Sequence, residues 1–276
     1  ETYFGIGEIE ADTAGETIAK TTEVFASGEV AYLLQQGQEK PSVQVWGQEI
    51  GKDVSPVLNG VTVYNHGTTY TNFVSTIEHD FDENGFCTIC DAYEEPELVE
   101  GVYQIANAGN LYWFMEYVNA GNGNETANAV LVNDIVVNEG TMTENSTDAR
   151  KWFPIGYDYD RDGDGTKEYI FYNGTFDGQN HTISGLYFNS ETQSYVGLFG
   201  RTNRNASIQN VGVIHSYIKG KKFVGSVCAY NYGTITNCYN TGAVTGTGFS
   251  VGGVCGENHG TITNCYNTGD VSGTDY

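Results

Sequence analysis

The decapeptide "GTITNCYNTG" occurs twice, at Gly233 to Gly242 and at Gly260 to Gly269, with an offset of 27 residues. A literal repeat of this length constrains the fold more than composition does, because a period of this size belongs to chains whose units bury their apolar faces against their own copies. The match extends outward. Ser226-Val227-Cys228-Ala229 falls on Gly253-Val254-Cys255-Gly256, and Cys238 falls on Cys265. Upstream, Ile208, Ile235 and Ile262 recur every 27 residues, and Gly197-Leu198-Phe199-Gly200 occupies the later Gly253 slot after a two-residue insertion. One step further back, "GTFDGQNHTISGLYF" (Gly174 to Phe188) places Ile183 in the role of Ile208, and "NAVLVNDIVVNE" (Asn128 to Glu139) reads as the first turn. About five turns are countable on this pattern.

Helical repeats need apolar residues at i, i+3, i+4 and i+7, whereas these units offer short apolar stretches such as "TITNCY" broken by Gly, Asn and Thr. Leucine-rich repeats are excluded by the scarcity of leucine. The remaining architecture is mainly β: a right-handed parallel β-helix, or β-solenoid, in which each turn lays down two or three short strands and stacks on the last at about 4.8 Å. Equivalent residues then stack on themselves. Ile235 and Ile262 are expected in the bore, Asn237 and Asn264 are expected to exchange amide hydrogen bonds, and the glycines are expected at corners of positive φ. The chain stops at Tyr276 without a polar cap, which reads as an array that continues.

Charge excludes whole classes of partner. A formal net charge of −23, from 12 Lys+Arg against 35 Asp+Glu, has the wrong sign for nucleic acid or an anionic membrane surface. No apolar run approaches the roughly 18 residues of a membrane span. The start at Glu1, without initiator Met or signal peptide, reads as a processed or excised piece.

Two domains are expected. Residues 97–276 form the solenoid, capped by a helix over "NLYWFMEYVNAG", with Leu111, Phe114, Met115 and Val118 at helical spacing, Asn107 and Asn110 as caps and Gly121 as stop. Tyr112, Trp113 and Phe114 read as core rather than as an aromatic ligand platform. Residues 1–96 form a small α+β module, with one helical stretch over "EVFASGEVAYLLQQ" and strand-like "SVQVW" and "GVTVYN". It is joined to the solenoid by the acidic linker "DAYEEPELVEG".

Several constellations are candidates for chemistry. Asp160, Asp162 and Asp164 with Gly165 open a D-x-D-x-D-G calcium loop, with the Thr166 carbonyl and Glu168 at the seventh and ninth positions. The twelfth position is Phe171 rather than an acid, so Asp158 would have to help, and the alternative is a solvated acidic hairpin. Calcium at this loop is the only cofactor expected. "CTIC" (Cys87 to Cys90) follows His79, and zinc there would need a fourth ligand such as Asp82 or His66; a local disulfide or two thiols compete with that reading. Cys228 with Cys238 and Cys255 with Cys265 share a ten-residue offset. This allows a disulfide within each turn or two ladders of buried thiols, and the ladders are favoured. A glycosidase needs two facing carboxylates, for which Asp177 and Asp134 are the candidates, while "FDGQNH" reads better as a corner. A lyase would need convergent Arg or Lys, and the basic residues are scattered.

The stretches "YVGLFG", "VGGVCGENHGTITNCYNTGDVSG" and "GTFDGQNHTISGL" resemble the GLUG-motif repeats of bacterial surface proteins. The motif is literal at Gly197 to Gly200, becomes Gly-Val-Cys-Gly at Gly253 to Gly256, and is degenerate at Ser226 to Ala229. "GVYQIANAGNLYWFMEYVN" is similar to the lead-in of such arrays in Gram-positive gut bacteria, "FASGEVAYLLQQG" with "VWGQEIG" to a closing segment, and "HDFDENGFCTIC" to a short Cys-pair module. The resemblance implies a slice of a larger modular polypeptide, secreted or displayed on the bacterial surface, serving adhesion or display towards glycans or host surface proteins. Some GLUG repeats accompany peptidase domains, but no H-E-x-x-H occurs here. The expectation is a non-enzymatic extracellular surface module; the alternatives are a polysaccharide-degrading β-helix enzyme and a structural spacer.

Overall fold

A computed structural model describes residues 2–3, 20–36, 45–66, 69–71, 79–90, 92–157 and 169–274. The chain forms two compact units. Among the described residues, one draws on those up to Asp80 and on Cys87–Ala92, the other on Phe81–Phe86, 93–157 and 169–274.

In the first unit the expected helical stretch is two helices, α1 (Thr22–Ala26) and α2 (Glu29–Gln36). The break falls at Gly28, whose φ of +92° no helix tolerates. Thr21 caps α1 by accepting the Val24 N–H at 3.4 Å. From α2, the Gln35 side-chain oxygen accepts the Val45 and Trp46 N–H groups, each at 2.8 Å, and so holds the strand Trp46–Gly47. That strand pairs antiparallel with Val57–Leu58, and Tyr64–His66 pairs with Thr69–Thr71. Most of the expected "SVQVW" strand lies outside the described residues.

The second unit is a parallel β-solenoid, as the repeat predicts. Its first sheet has seven strands. Glu97–Val99 pairs antiparallel with Val102–Ile105 at one edge, and Asn128–Leu131, Thr175–Asp177, Ser207–Gln209, Thr234–Thr236 and Thr261–Thr263 follow in parallel. Six parallel rungs therefore stack, one more than the sequence pattern reveals, because Val102–Ile105 lacks the Gly and Asn signature of the later turns. One inward column runs Tyr103, Ala129, Phe176, Ile208, Ile235, Ile262, and all but Ile262 are buried.

Ile183 is not in that column. It pairs with Ile135 and Val213 in a second sheet of five strands, and the counterpart of Ile208 is Phe176. The misassignment has a local cause: Thr182-Ile183-Ser184 and Thr234-Ile235-Thr236 carry the same hydroxyl-Ile-hydroxyl sequence, with the Ile buried in each, on different faces. Strand number per turn also exceeds the expected two or three. Between Thr234 and Thr261 the chain lays down Thr234–Thr236, Tyr239–Asn240, Ala243–Gly246, Val251–Gly252 and Cys255–Asn258. Beside the main bore, the buried side chains form a smaller cluster of Phe188, Val196, Ile218, Val224 and Val244 and a third of Met142, Tyr187 and Tyr217.

The short strands follow from the Asn-x-Gly corners. Asn240 is fully buried, donates to the Gly242 carbonyl at 2.8 Å and to the Asn267 side-chain oxygen at 2.6 Å, and accepts the Gly242 N–H at 3.0 Å. Asn231 makes the same set with Gly233 and Asn258. Each amide thus satisfies a corner that would otherwise bury unpaired backbone groups, and hands one bond to the next turn. Asn237 and Asn264 form the expected outer ladder, with Asn237 donating to Asn210 at 2.9 Å and Asn264 to Asn237 at 3.3 Å.

Positive φ in this ladder falls on Asn210, Asn237 and Asn264, at +53° to +55°, and not on the glycines of the repeated decapeptide, although Gly185 of an earlier turn has the expected positive φ of +76°. Those glycines answer to stacking. A Cβ at Gly260 would sit 2.0 Å from the Gly233 carbonyl oxygen of the previous turn, and one at Gly269 equally close to that of Gly242.

Helix α3 (Ala108–Asn119) follows the first rung in the chain and precedes the second. Asn107 caps it by accepting the Asn110 N–H at 2.8 Å, and Leu111, Phe114, Met115 and Val118 are buried in the main bore cluster. Tyr112 is core as expected, its hydroxyl donating to the Lys151 carbonyl at 2.8 Å. Trp113 stacks on Tyr117 at 4.8 Å.

Candidate functional site

One flank of the solenoid gathers aromatic rings across successive turns. The parallel pairing of Val196 with Val224, and of Val224 with Val251, sets Tyr195, Phe223 and Ser250 in one column. All three sit at corners of positive φ, +64°, +52° and +61°, which turns their side chains out of the strand alternation. Tyr195 and Phe223 stack at 4.6 Å with ring planes 17° apart. Phe223 meets Tyr230 and Phe249 edge-on at 5.3 Å, and Tyr230 continues to Tyr232 and His259 at 5.3 and 5.2 Å. The result is a shelf of rings, half-buried at Tyr195, Phe223, Tyr230 and Tyr232 and exposed at Phe249 and His259.

Cations and hydrogen bonds frame the shelf. The buried Arg201 guanidinium lies 3.6 Å over the Tyr195 ring and 5.5 Å from that of Phe171, and Lys222 lies 4.3 Å over Phe249. Glu257 accepts the Ser250 hydroxyl at 2.9 Å and lies 2.7 Å from His259 Nε2. Tyr230 is pushed up to about 12 by its hydrogen bond with Tyr232, with burial adding to the shift, so its phenol stays protonated at any physiological pH. At one end of the shelf an open depression of about 270 Å³ is lined by Phe171, Asn203, Arg204 and Tyr232. A second depression, of about 280 Å³, is lined by Asn138, Glu139, Met142 and residues 145–149 and contains no ring.

The residues singled out from sequence fare differently. The calcium-loop residues Asp160, Asp162, Asp164, Thr166 and Glu168 lie outside the described residues, as does Asp158. Asp177 is the head of the outer amide ladder: its carboxylate accepts from the Asn210 and Gln209 side chains and from the Gln179 N–H, each at 2.9 Å. Burial raises its pKa, but these three donors outweigh burial and hold it below the ordinary value. Asp134 accepts the Thr182 N–H at 2.7 Å and lies 3.4 Å from His181 Nδ1; its pKa too is lowered, chiefly by the Thr182 N–H. A glycosidase acid has to hold its proton near neutrality, and both carboxyls are tuned the other way. His79, Cys87 and Cys90 are brought together. The solenoid cysteines form the expected ladders, Cys228 in register with Cys255 and the Cys238 N–H 3.4 Å from Cys265 Sγ, and none is in a disulfide. The shelf rings were not individually legible in sequence. Aligning turns by the Val196 and Val224 register puts Phe223 under Tyr195, and this was the available signal.

Fold and site define a β-solenoid repeat protein with an aromatic flank. Within it, residues 247–272 match the GLUG motif, so the last described turn carries the motif that its sequence resembles. Halomucin from Haloquadratum walsbyi is 36% identical to this chain over 75 residues, which is 27% of this chain and 1% of that protein. A Bacteroides ovatus protein, described as a candidate immunoglobulin A1 protease, aligns in its crystal structure with a TM-score of 0.46 at 19% identity, over 67% of this chain and 57% of that one.

Proposed function

We propose that this chain is a non-enzymatic module of an extracellular or cell-surface protein, and that the shelf of Tyr195, Phe223, Tyr230 and Tyr232, with its depression beside Asn203 and Arg204, binds glycan chains. The aromatic flank carries this reading. Sugar rings present C–H faces that pack on aromatic planes, and the polar groups at the edge of the depression supply the few directional bonds that fix orientation. A row of rings repeated along a stack suits an extended polymer better than a compact ligand. The GLUG match and the similarity to halomucin support a surface location, and the net charge of −23 opposes nucleic acid as the ligand.

Binding of the labelled chain to an array of mucin glycans, plant polysaccharides and matrix proteins tests the proposal. Selective glycan binding that falls about fivefold in Tyr232→Ala and in Phe223→Ala is the expected result, since one stacked ring contributes on the order of 1 kcal/mol. Binding to matrix proteins alone would replace glycan by protein as the ligand, and a blank array would favour a spacer. The loop from Asp160 to Glu168 is proposed as a calcium site; a calorimetric titration without heat would remove it.

A further inference from the structure

We infer that His79, Cys87 and Cys90 form a binding site for a zinc-class divalent cation. Their donor atoms lie within 4.8 Å of one another, and this is the one such group of three among the described residues. Around a tetrahedral zinc, with Zn–S about 2.3 Å and Zn–N about 2.0 Å, donor atoms stand about 3.5 to 3.8 Å apart. Cys90 Sγ and His79 Nδ1 are 3.5 Å apart, at that tetrahedral edge. A thiol–imidazole hydrogen bond gives a similar distance, so this pair alone decides nothing. The second thiol carries the argument, because it brings a third ligand-type atom within 4.8 Å of the other two.

Local structure holds the three in place. The Cys87 N–H donates to the Ala92 carbonyl at 3.0 Å, which closes the turn around the cysteine pair. The Thr88 N–H donates to the Asp80 carbonyl at 2.8 Å, which ties that turn to the residue next to His79. The backbone N–H groups of Ile89 and Cys90 are directed at the Cys87 sulfur, an outer shell that steadies a coordinated thiolate. Cys87 is buried, and His79 and Cys90 are half-buried. Two sulfurs and an imidazole select zinc and its soft relatives over calcium or magnesium, which demand oxygen. Three protein ligands leave one tetrahedral position for a further donor. Of the two fourth ligands named from sequence, Asp82 has its carboxylate engaged by the Asn84 and Phe86 N–H groups at 2.9 Å, and the His66 side chain lies outside the described residues.

The test uses the whole chain, reduced and stripped of metal, titrated with Zn²⁺ against a chromophoric chelator and in parallel with Co²⁺. One ion per chain and a thiolate-to-cobalt charge-transfer band are expected. Cys90→Ser and His79→Ala should each weaken binding by more than about 100-fold, with the β-sheet circular dichroism unchanged, while Cys265→Ser leaves affinity intact. No bound ion, a cobalt spectrum without the thiolate band, retained affinity in both variants, or a Cys87–Cys90 disulfide in the isolated protein would each overturn the site.

Discussion

In the solenoid, Cys228 stacks in register on Cys255 and Cys238 abuts Cys265, one turn apart, among Phe199, Ile208 and Ile235. In the other unit, Cys87 and Cys90 are three residues apart, face His79 and have no copy elsewhere in the chain. Burial pushes the Cys228 thiol well above its ordinary value, as expected of a small apolar filler. At Cys87 burial acts in the same direction, but donors from Ile89, Cys90 and Asp80 outweigh it and the thiol is lowered. A residue repeated at the period of a stack answers to packing, whereas the same residue standing outside the period, beside a different ligand type, answers to local chemistry.

The sharpest way to break that contrast is thiol mapping with and without chelator. In the native chain Cys255 and Cys265, both half-buried, should alkylate slowly, while Cys228 and Cys238 stay protected. Removing metal should expose Cys87 and Cys90 to complete modification and leave the four solenoid rates unchanged. A chelator effect on the solenoid cysteines would show that the two settings are not distinct.

Packing within the stack is graded next. Ile235 is fully buried between turns and Ile262, its copy, is 37% exposed on the last described rung. Ile235→Ala should destabilise the chain by about 3 kcal/mol and Ile262→Ala by less than about 1 kcal/mol in urea titrations followed by circular dichroism. Equal losses would mean that repetition, rather than coverage by the neighbouring turn, sets the cost. A smaller step separates the two asparagine ladders. Asn240→Ala removes a buried amide that serves both the N–H and the carbonyl of Gly242, and should cost about 2 kcal/mol. Asn237→Gly keeps the positive φ on an exposed corner and should stay within about 0.5 kcal/mol.

The solenoid was legible in sequence because its period is carried by residue types with a narrow structural meaning: Ile inward and Asn at corners. Legibility failed where one pattern serves two faces, as with Ile183, and where a rung lacks the signature, as with Val102–Ile105. It failed also for the glycines, since a sequence does not distinguish a Gly needed for positive φ from one needed for close stacking. The aromatic shelf was hidden for a related reason: Tyr195 and Phe223 come from turns of unequal length, and Phe249 stands one residue before their column, so no constant spacing marks them. The His79 cluster was visible as a motif, but only the fold shows that the imidazole meets the thiols.

The smallest expected effect tests whether the solenoid's acids are structural in the same sense as its cysteines. Asp177 heads the ladder that continues through Asn210, Asn237 and Asn264, and its folded pKa lies below the ordinary 3.8. A carboxyl depressed on folding contributes stability that is present above its unfolded pKa and lost as pH falls through the folded value. Asp177→Asn removes that contribution, since an amide cannot accept from Asn210, Gln209 and Gln179 together without turning its own N–H towards a donor. The urea midpoint of the wild type should therefore exceed that of the variant at neutral pH, and the gap should close as pH drops below about 4. A gap that instead widens in acid would mean that folding raises the Asp177 pKa. That would make it a carboxyl poised to give up a proton near neutrality, and the two-carboxylate hydrolase reading would return in place of the ladder.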